Sequence, residues 1–230
     1  SGAFYTDFST AAIAFFNWAN GQTTPLLSLP SSPTTPAPLS NFQLMQRELA
    51  SRVLAKRRLI PFTQRINPRY HAGWVHHDIA RRLERFSDDV AKGLSPRLML
   101  LMPPRAGKSE LGSRMFPAWH LGRHPDHEVI ACSYNVSLAM SFSRKVKDVL
   151  DDPNYQSVFA TRLNPNFQGA EEWGIEGSRG GYVAAGVGGG INGKGAHVLI
   201  IDDPLKNAEE ADSAELREKS RKRCSLSRSA

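Results

Sequence analysis

"RLMLLMPPRAGKSELGSRMF", residues 97–116, decides how the rest of this 230-residue chain is read. A short apolar run ends at Pro103-Pro104, then Gly107, Lys108 and Ser109 follow, and a helical pattern runs from Lys108 to His120 and stops at Gly122. The expected order is strand, loop, helix. Phosphate-binding loops usually read G-x-x-x-x-G-K-[ST], and Met102 stands where the first glycine belongs. Such a loop works because successive backbone N–H groups converge at the mouth of a helix that carries a partial positive charge. The first glycine only eases the turn out of the strand, which Pro103-Pro104 can do with their fixed φ angles. The residues expected around the phosphates of ATP are Pro104, Arg105, Ala106, Gly107, Lys108 and Ser109. Lys108 would neutralise the β and γ phosphates, the Ser109 hydroxyl would bind Mg²⁺, and Gly107 would let the backbone approach closely.

A second stretch completes this reading. "HVLIIDDP", residues 197–204, is a short buried strand with two carboxylates at its C-terminal end. Asp202 can hold Mg²⁺ through its shell, and Asp203 can orient or deprotonate an attacking water. The alternative is that Asp-Asp-Pro merely starts a turn, which leaves the lysine loop unexplained.

Composition sets the limits. The longest apolar run near the start, Ala11 to Phe16, follows Asp7 with no basic segment before it, so neither a signal peptide nor a spanning helix is expected. Cys132 and Cys224 are far apart, which supports neither a disulfide framework nor a zinc site. The net charge of +7 comes from residues 41–97, where twelve Lys and Arg face five Asp and Glu. That block, with "KRRLIPFTQR" and "ARRLER", is either a surface for a polyanion or a solvated helix face.

Residues 1–40 end in "TTPLLSLPSSPTTPAPLS", a Pro/Ser/Thr-rich linker, and a boundary is placed there. Leu44, Met45, Leu49, Val53 and Leu54 fit an amphipathic helix to about Arg58, and Ile79, Leu83 and Phe86 fit a second before Gly93. After the lysine loop, "EVIACSY" reads as a strand. Leu138, Phe142, Val146, Val149 and Leu150 then share one face of a helix that ends at Asp152-Pro153. Strands alternating with helices imply a parallel sheet covered on both faces. The paired His76 and His77 have no further His/Cys cluster beside them in sequence and are not read as a metal site. Gly188, Gly190 and Gly193 form G-x-G-x-x-G, but the run precedes a strand and opens no helix, so no dinucleotide meaning attaches to it.

"GWVHHDIARRLE", "LMPPRAGKSELGSRMFPAWHLGRHPD", "SYNVSLAMSFSRKVKDVL" and "GGYVAAGVGGGINGKGAHVLIIDDPLKNAEEADS" occur in that order within about residues 49–219. Together they resemble the large terminase subunit of tailed bacteriophages, the ATP-driven motor that packages DNA into the capsid. The Pro-Pro-Arg form of the loop and the Asp-Asp-Pro end of the acidic strand carry the resemblance, and Met102 then becomes a departure of family type. The resemblance implies that Arg105 lies near the γ-phosphate, with a salt bridge holding the loop as its alternative. It implies an adenine contact in "YHAGWVHHD", where Trp74 or His77 can stack or hydrogen-bond. It also places Tyr134 and Asn135 near DNA or nucleotide, unless Asn135 or Ser137 simply caps the following helix. Lys194, in the glycine run with Asn192, can move with hydrolysis or touch DNA phosphates.

The expected fold is therefore α/β, a P-loop NTPase of the additional-strand type, with a parallel sheet, helices on both faces and an incomplete C-terminal end. Residues 41–97 form a basic helical region, 98–219 the ATPase core, and 220–230 an off-pattern tail. A nuclease domain is expected to lie beyond this chain. The resemblance implies ATP and Mg²⁺ as cofactors, and as partners double-stranded DNA, a portal protein and a small terminase subunit. It also implies a homo-oligomeric ring, no membrane, and the cytoplasm of an infected or lysogenic bacterial host. The rival readings are a non-hydrolysing remnant that binds DNA or a partner, and another P-loop ATPase of helicase type.

Overall fold

The computed structural model describes residues 39–186 and 195–204. Residues 1–38, Lys194 with the glycine run before it, and everything after Pro204, including the 220–230 tail, lie outside the described residues. Contacts divide the chain into Ser1–Ser40 and Asn41–Ala230, and the elements below belong to the second unit.

Three helices come first: α1 (Asn41–Arg57), α2 (Leu59–Ile66) and α3 (Trp74–Ala91). Pro61 is tolerated in α2 because it sits in the first turn, where its missing N–H has no partner to lose. The amphipathic reading of residues 44–58 holds for helix formation only. Leu44, Met45, Leu49, Val53 and Leu54 are all about half exposed, and Ala55 is the one buried residue of α1. By contrast α3 buries Ile79, Ala80, Leu83, Ser87 and Val90, a 3.6-residue repeat, and stops before Gly93, whose φ of 76° favours glycine.

Residues 97–102, expected as a strand, belong to no strand. The segment alternates nonetheless: Leu98, Leu100 and Met102 pack on the core, while Met99 and Leu101 are 80% and 86% exposed. It has the period of a strand without the ladder that would make it one.

After the loop the helix is widened. Glu110–Met115 is π-helical, with the Phe116 N–H reaching the Leu111 carbonyl five residues back, before α4 (Phe116–Arg123) resumes α geometry. Gly122 lies inside α4 and does not end it. A Cβ there would sit 2.6 Å from the Phe159 ring, so this glycine serves close packing.

The sheet has the order β2-β3-β4-β1-β5 and is mixed. β1 (Glu128–Ser133) runs parallel to β4 (Gly181–Gly186) and to β5 (Val198–Ile201). β2 (Leu163–Gln168) and β3 (Glu172–Ile175) extend the other edge antiparallel, which corrects the all-parallel expectation. Between β1 and β2 lie α5 (Val136–Asp151), capped by the Asn135 side chain on the Leu138 N–H, and the single turn α6 (Pro153–Gln156).

One sheet face, with Val129, Ala131, Tyr182, Ala184 and Val198, joins the helices in the main core. There Trp173 stacks on Tyr182 at 5.2 Å and donates to Ser143 Oγ of α5. Residues of the alternate parity, Ile130, Cys132 and Ala185 with Val183 and Leu199, form a separate cluster of strand residues alone. Helices on both faces were expected, and the described helices all join the core of the first face.

Four histidines meet where α4, β1 and β5 begin or end. His120 Nδ1 bonds Ser87 Oγ and its Nε2 bonds His127 Nδ1, His124 stacks on His127 at 4.9 Å, and His127 stacks on His197 at 4.2 Å. Burial, reinforced by the neighbouring histidines, holds His120 down at about 3 and His127 at about 4; burial and Arg123 also lower His124. These rings are neutral in the fold, while the unfolded chain takes up protons below its ordinary imidazole value near 6.5. Their stabilisation is complete above that value and is lost as pH falls toward the folded values. Denaturant unfolding at pH 5 is expected to give about 2 kcal/mol less stability than at pH 7 from His120 alone. His120→Phe should flatten the slope, and a pH-independent wild type would remove the effect. Glu48, held at about 2 by hydrogen bonds from Arg65 and Arg52, loses its contribution only as pH falls from the ordinary carboxylate value near 4.5 toward 2, below this window.

Candidate nucleotide site

The loop between Met102 and Lys108 has two left-handed residues, Arg105 at φ 62° and Gly107 at φ 81°. Glycine accepts such a φ freely, whereas arginine does not, so the turn is held against a local cost. Asp203, at φ 47°, is a third. Its carbonyl accepts from the Tyr134 N–H, and the Asp202 N–H donates to Cys132, so both acidic residues leave β5 fixed against the end of β1. Ordinary ladder pairing thus carries Asp202 and Asp203 to the lysine loop, although Asp203 is 95 residues from Lys108 in sequence.

There Lys108 Nζ lies 3.1 Å from Asp202 Oδ1 and 3.1 Å from Asp203 Oδ1. Burial pulls the lysine's pKa down, but the hydrogen bonds to the two carboxylates outweigh it and leave it raised. Burial likewise pushes Asp202 up, and hydrogen bonds from Ser113, Ser109 and Lys108 more than reverse this. Asp202 is 7% exposed and Asp203 60%, so the first is a fixed, ionised group and the second faces water. A cavity of about 540 Å³ opens here, lined by Met102 through Glu110 and by Asp203. That size suits a small-molecule ligand.

Ser109 and Asp202 offer only hard oxygen donors, and the Ser109 hydroxyl is among the groups that lower the Asp202 pKa. Mg²⁺ takes few protein ligands and keeps phosphate oxygens and waters, so this sparse donor set fits it. Among the described residues no group of three or more His, Cys, Asp or Glu could hold a metal ion.

The other expected site residues are distributed unevenly. Pro104, Arg105 and Ala106 line the cavity, and Arg105 makes no ion pair with any described residue. Trp74 is 83% exposed, and His77 lines a separate cavity with Arg58, Arg81 and Glu84; neither is brought to the loop. Tyr134 is half-buried beside Asp203, and the Asn135 side chain is engaged as the cap of α5.

Two residues at the loop were not found in the sequence. Ser113, on the π-helical turn, donates to Asp202 Oδ2 at 2.7 Å. His76 bonds the Ala106 carbonyl at 3.0 Å, and Tyr70 packs edge-on against its ring. The available signal for His76 was its position, three residues after Gly73, from which a side chain reaches back over a helix start. Of the basic block, Arg52, Arg58, Arg65, Arg81, Arg82 and Lys92 pair with carboxylates of the same region, which leaves less free positive charge than the count implies. No helix among the described residues is long and apolar enough to cross a membrane.

A family model described as "Terminase large subunit, T4likevirus-type, N-terminal" matches residues 99–228. No curated protein and no solved structure matches the chain.

Proposed function

This chain belongs to the T4likevirus-type terminase large subunits, in their N-terminal part, and we propose that it binds ATP with Mg²⁺ and hydrolyses it to drive double-stranded DNA into a procapsid. The observation that carries this reading is Lys108 held between Asp202 and Asp203 at the mouth of a strained, helix-opening loop. These are the elements a P-loop NTPase needs, a phosphate cradle and an acidic strand end in contact.

Lys108 trades its two carboxylates for the β and γ phosphates when nucleotide enters. Ser109 and Asp202 would hold Mg²⁺, which would supply positive charge to offset that of the phosphates. Asp203, the more exposed carboxylate, orients the attacking water or takes its proton. Arg105, displayed by its left-handed backbone without an ion pair to any described residue, supplies a guanidinium to the charge that develops on the γ-phosphate. Ser113 keeps Asp202 in place from the π-helical turn. Lys56 and Arg57, exposed at the end of α1, are contacts for DNA phosphates. A portal protein, a small terminase subunit and further copies in a ring are the partners this role requires, in the cytoplasm of the bacterial host.

The test is ATP hydrolysis by the chain with Mg²⁺, with and without duplex DNA, beside ATP binding in the same buffer. Binding with DNA-stimulated turnover is expected. A chain that folds yet binds no ATP would overturn the proposal, and one that binds without turnover would leave a nucleotide sensor in place of a motor.

A further inference from the structure

We infer that His76 is a positioning residue that fixes which way the Ala106–Gly107 peptide of the phosphate loop faces. The inference rests on the nucleotide reading of that loop. The Gly73 N–H donates to His76 Nδ1 at 3.0 Å, so Nδ1 bears no hydrogen and the ring's N–H is at Nε2. That N–H is 3.0 Å from the Ala106 carbonyl and donates to it. In a trans peptide the carbonyl and the next N–H point in opposite directions. Drawing the Ala106 carbonyl toward His76 therefore turns the Gly107 N–H the other way, toward the cavity where phosphates are to be received.

Without the clamp this peptide has little to hold it. Gly107, at φ 81°, adopts many backbone conformations at low cost, and a flip would present a carbonyl oxygen to the phosphates. The packing is close: a Cβ on Gly107 would lie 3.2 Å from His76 Nε2. Tyr70 sets the ring from the side at 5.7 Å between centroids, and its buried hydroxyl, without a partner among the described residues, lies beside the same glycine. His76 itself stands on the first turn of α3, so the basic helical region holds the loop in register with the core.

The experiment measures equilibrium ATP binding with Mg²⁺ and the melting temperature of the 230-residue chain for His76→Gln, His76→Asn, His76→Leu and Lys108→Ala. Glutamine carries an N–H donor to where Nε2 stood, whereas asparagine reaches only the Gly73 side. Glutamine is expected to bind ATP within about twofold of the wild type, and asparagine and leucine roughly three- to tenfold more weakly. Melting temperatures of the glutamine and asparagine chains should agree. The clamp is overturned if glutamine and asparagine bind alike, whether both match the wild type or both are weakened, and that comparison stands even if the leucine chain does not fold. Undiminished binding by Lys108→Ala would instead remove the nucleotide reading itself. A strong Lys108 effect with equal glutamine and asparagine would remove only the clamp.

Discussion

Lys108→Ala is expected to weaken ATP binding by roughly 10- to 150-fold, the equivalent of one charge-assisted hydrogen bond of about 1.5–3 kcal/mol, while the fold survives. The side chain leaves a cleft and not a packed core, so no cavity penalty arises. Its loss leaves Asp202 still bonded to Ser113, and Asp203 in water. Asp203→Asn supplies the opposite sign. It removes one of the two carboxylates that compete with phosphate for Lys108 Nζ, so binding should equal or exceed that of the wild type while turnover falls. Titration of both variants with ATP and Mg²⁺, at matched circular dichroism, decides the matter. Equal affinity in Lys108→Ala and wild type would remove the site, and weaker binding by Asp203→Asn would show that Asp203 contacts nucleotide or metal directly.

The site was legible because it depends on adjacency. Gly107, Lys108 and Ser109 follow an apolar run and open a helix, and two carboxylates close a second run, so linear order alone implies their meeting. What failed was information that only packing supplies. Residues 97–102 carry apolar side chains at every position from Leu98 to Met102, which fits a buried strand, yet no described neighbour supplies a ladder. β2, β3 and β4 were hidden for the reverse reason. Gly180 and Gly181 interrupt the pattern because a Cβ would meet the Pro125 carbonyl at 2.1 Å or that of Trp173 at 2.5 Å, so a close backbone approach read as a loop. With those strands unseen, the antiparallel half of the sheet was unseen as well. His76 and His77 are neighbours on α3 and point about 100° apart on a helix, so only coordinates separate the one that reaches Ala106 from the one that does not.

α1 carries an apolar stripe on its exposed side, Phe42, Met45, Leu49 and Val53, so its attachment to the core rests on few contacts. Its main neighbour is α2, whose Arg65 bonds Glu48 and Ser51, and Trp119 adds a tie to α4. Trp119 is fully buried in α4, its indole N–H donates to the Ala55 carbonyl at 3.1 Å, and the Arg123 guanidinium lies 4.5 Å over its ring while also bonding Asp88 of α3. Trp119 and Arg123 together thus join α1 and α3 to the helix that continues from the phosphate loop. Trp119→Ala should cost about 3–5 kcal/mol, a large part of the 5–15 kcal/mol typical of a domain. Trp119→Phe keeps most of the buried area but leaves the Ala55 carbonyl without its donor, for about 1–3 kcal/mol. ATP binding should be lost in the alanine chain only where it is unfolded, and should return at lower temperature or denaturant, since Trp119 does not line the cavity. Urea unfolding of the three chains, followed by ATP binding below each transition, measures both effects. A Trp119→Ala cost under about 1 kcal/mol would mean that α1 does not dock through Ala55 as described, and that the basic helical region is held to the loop chiefly through His76.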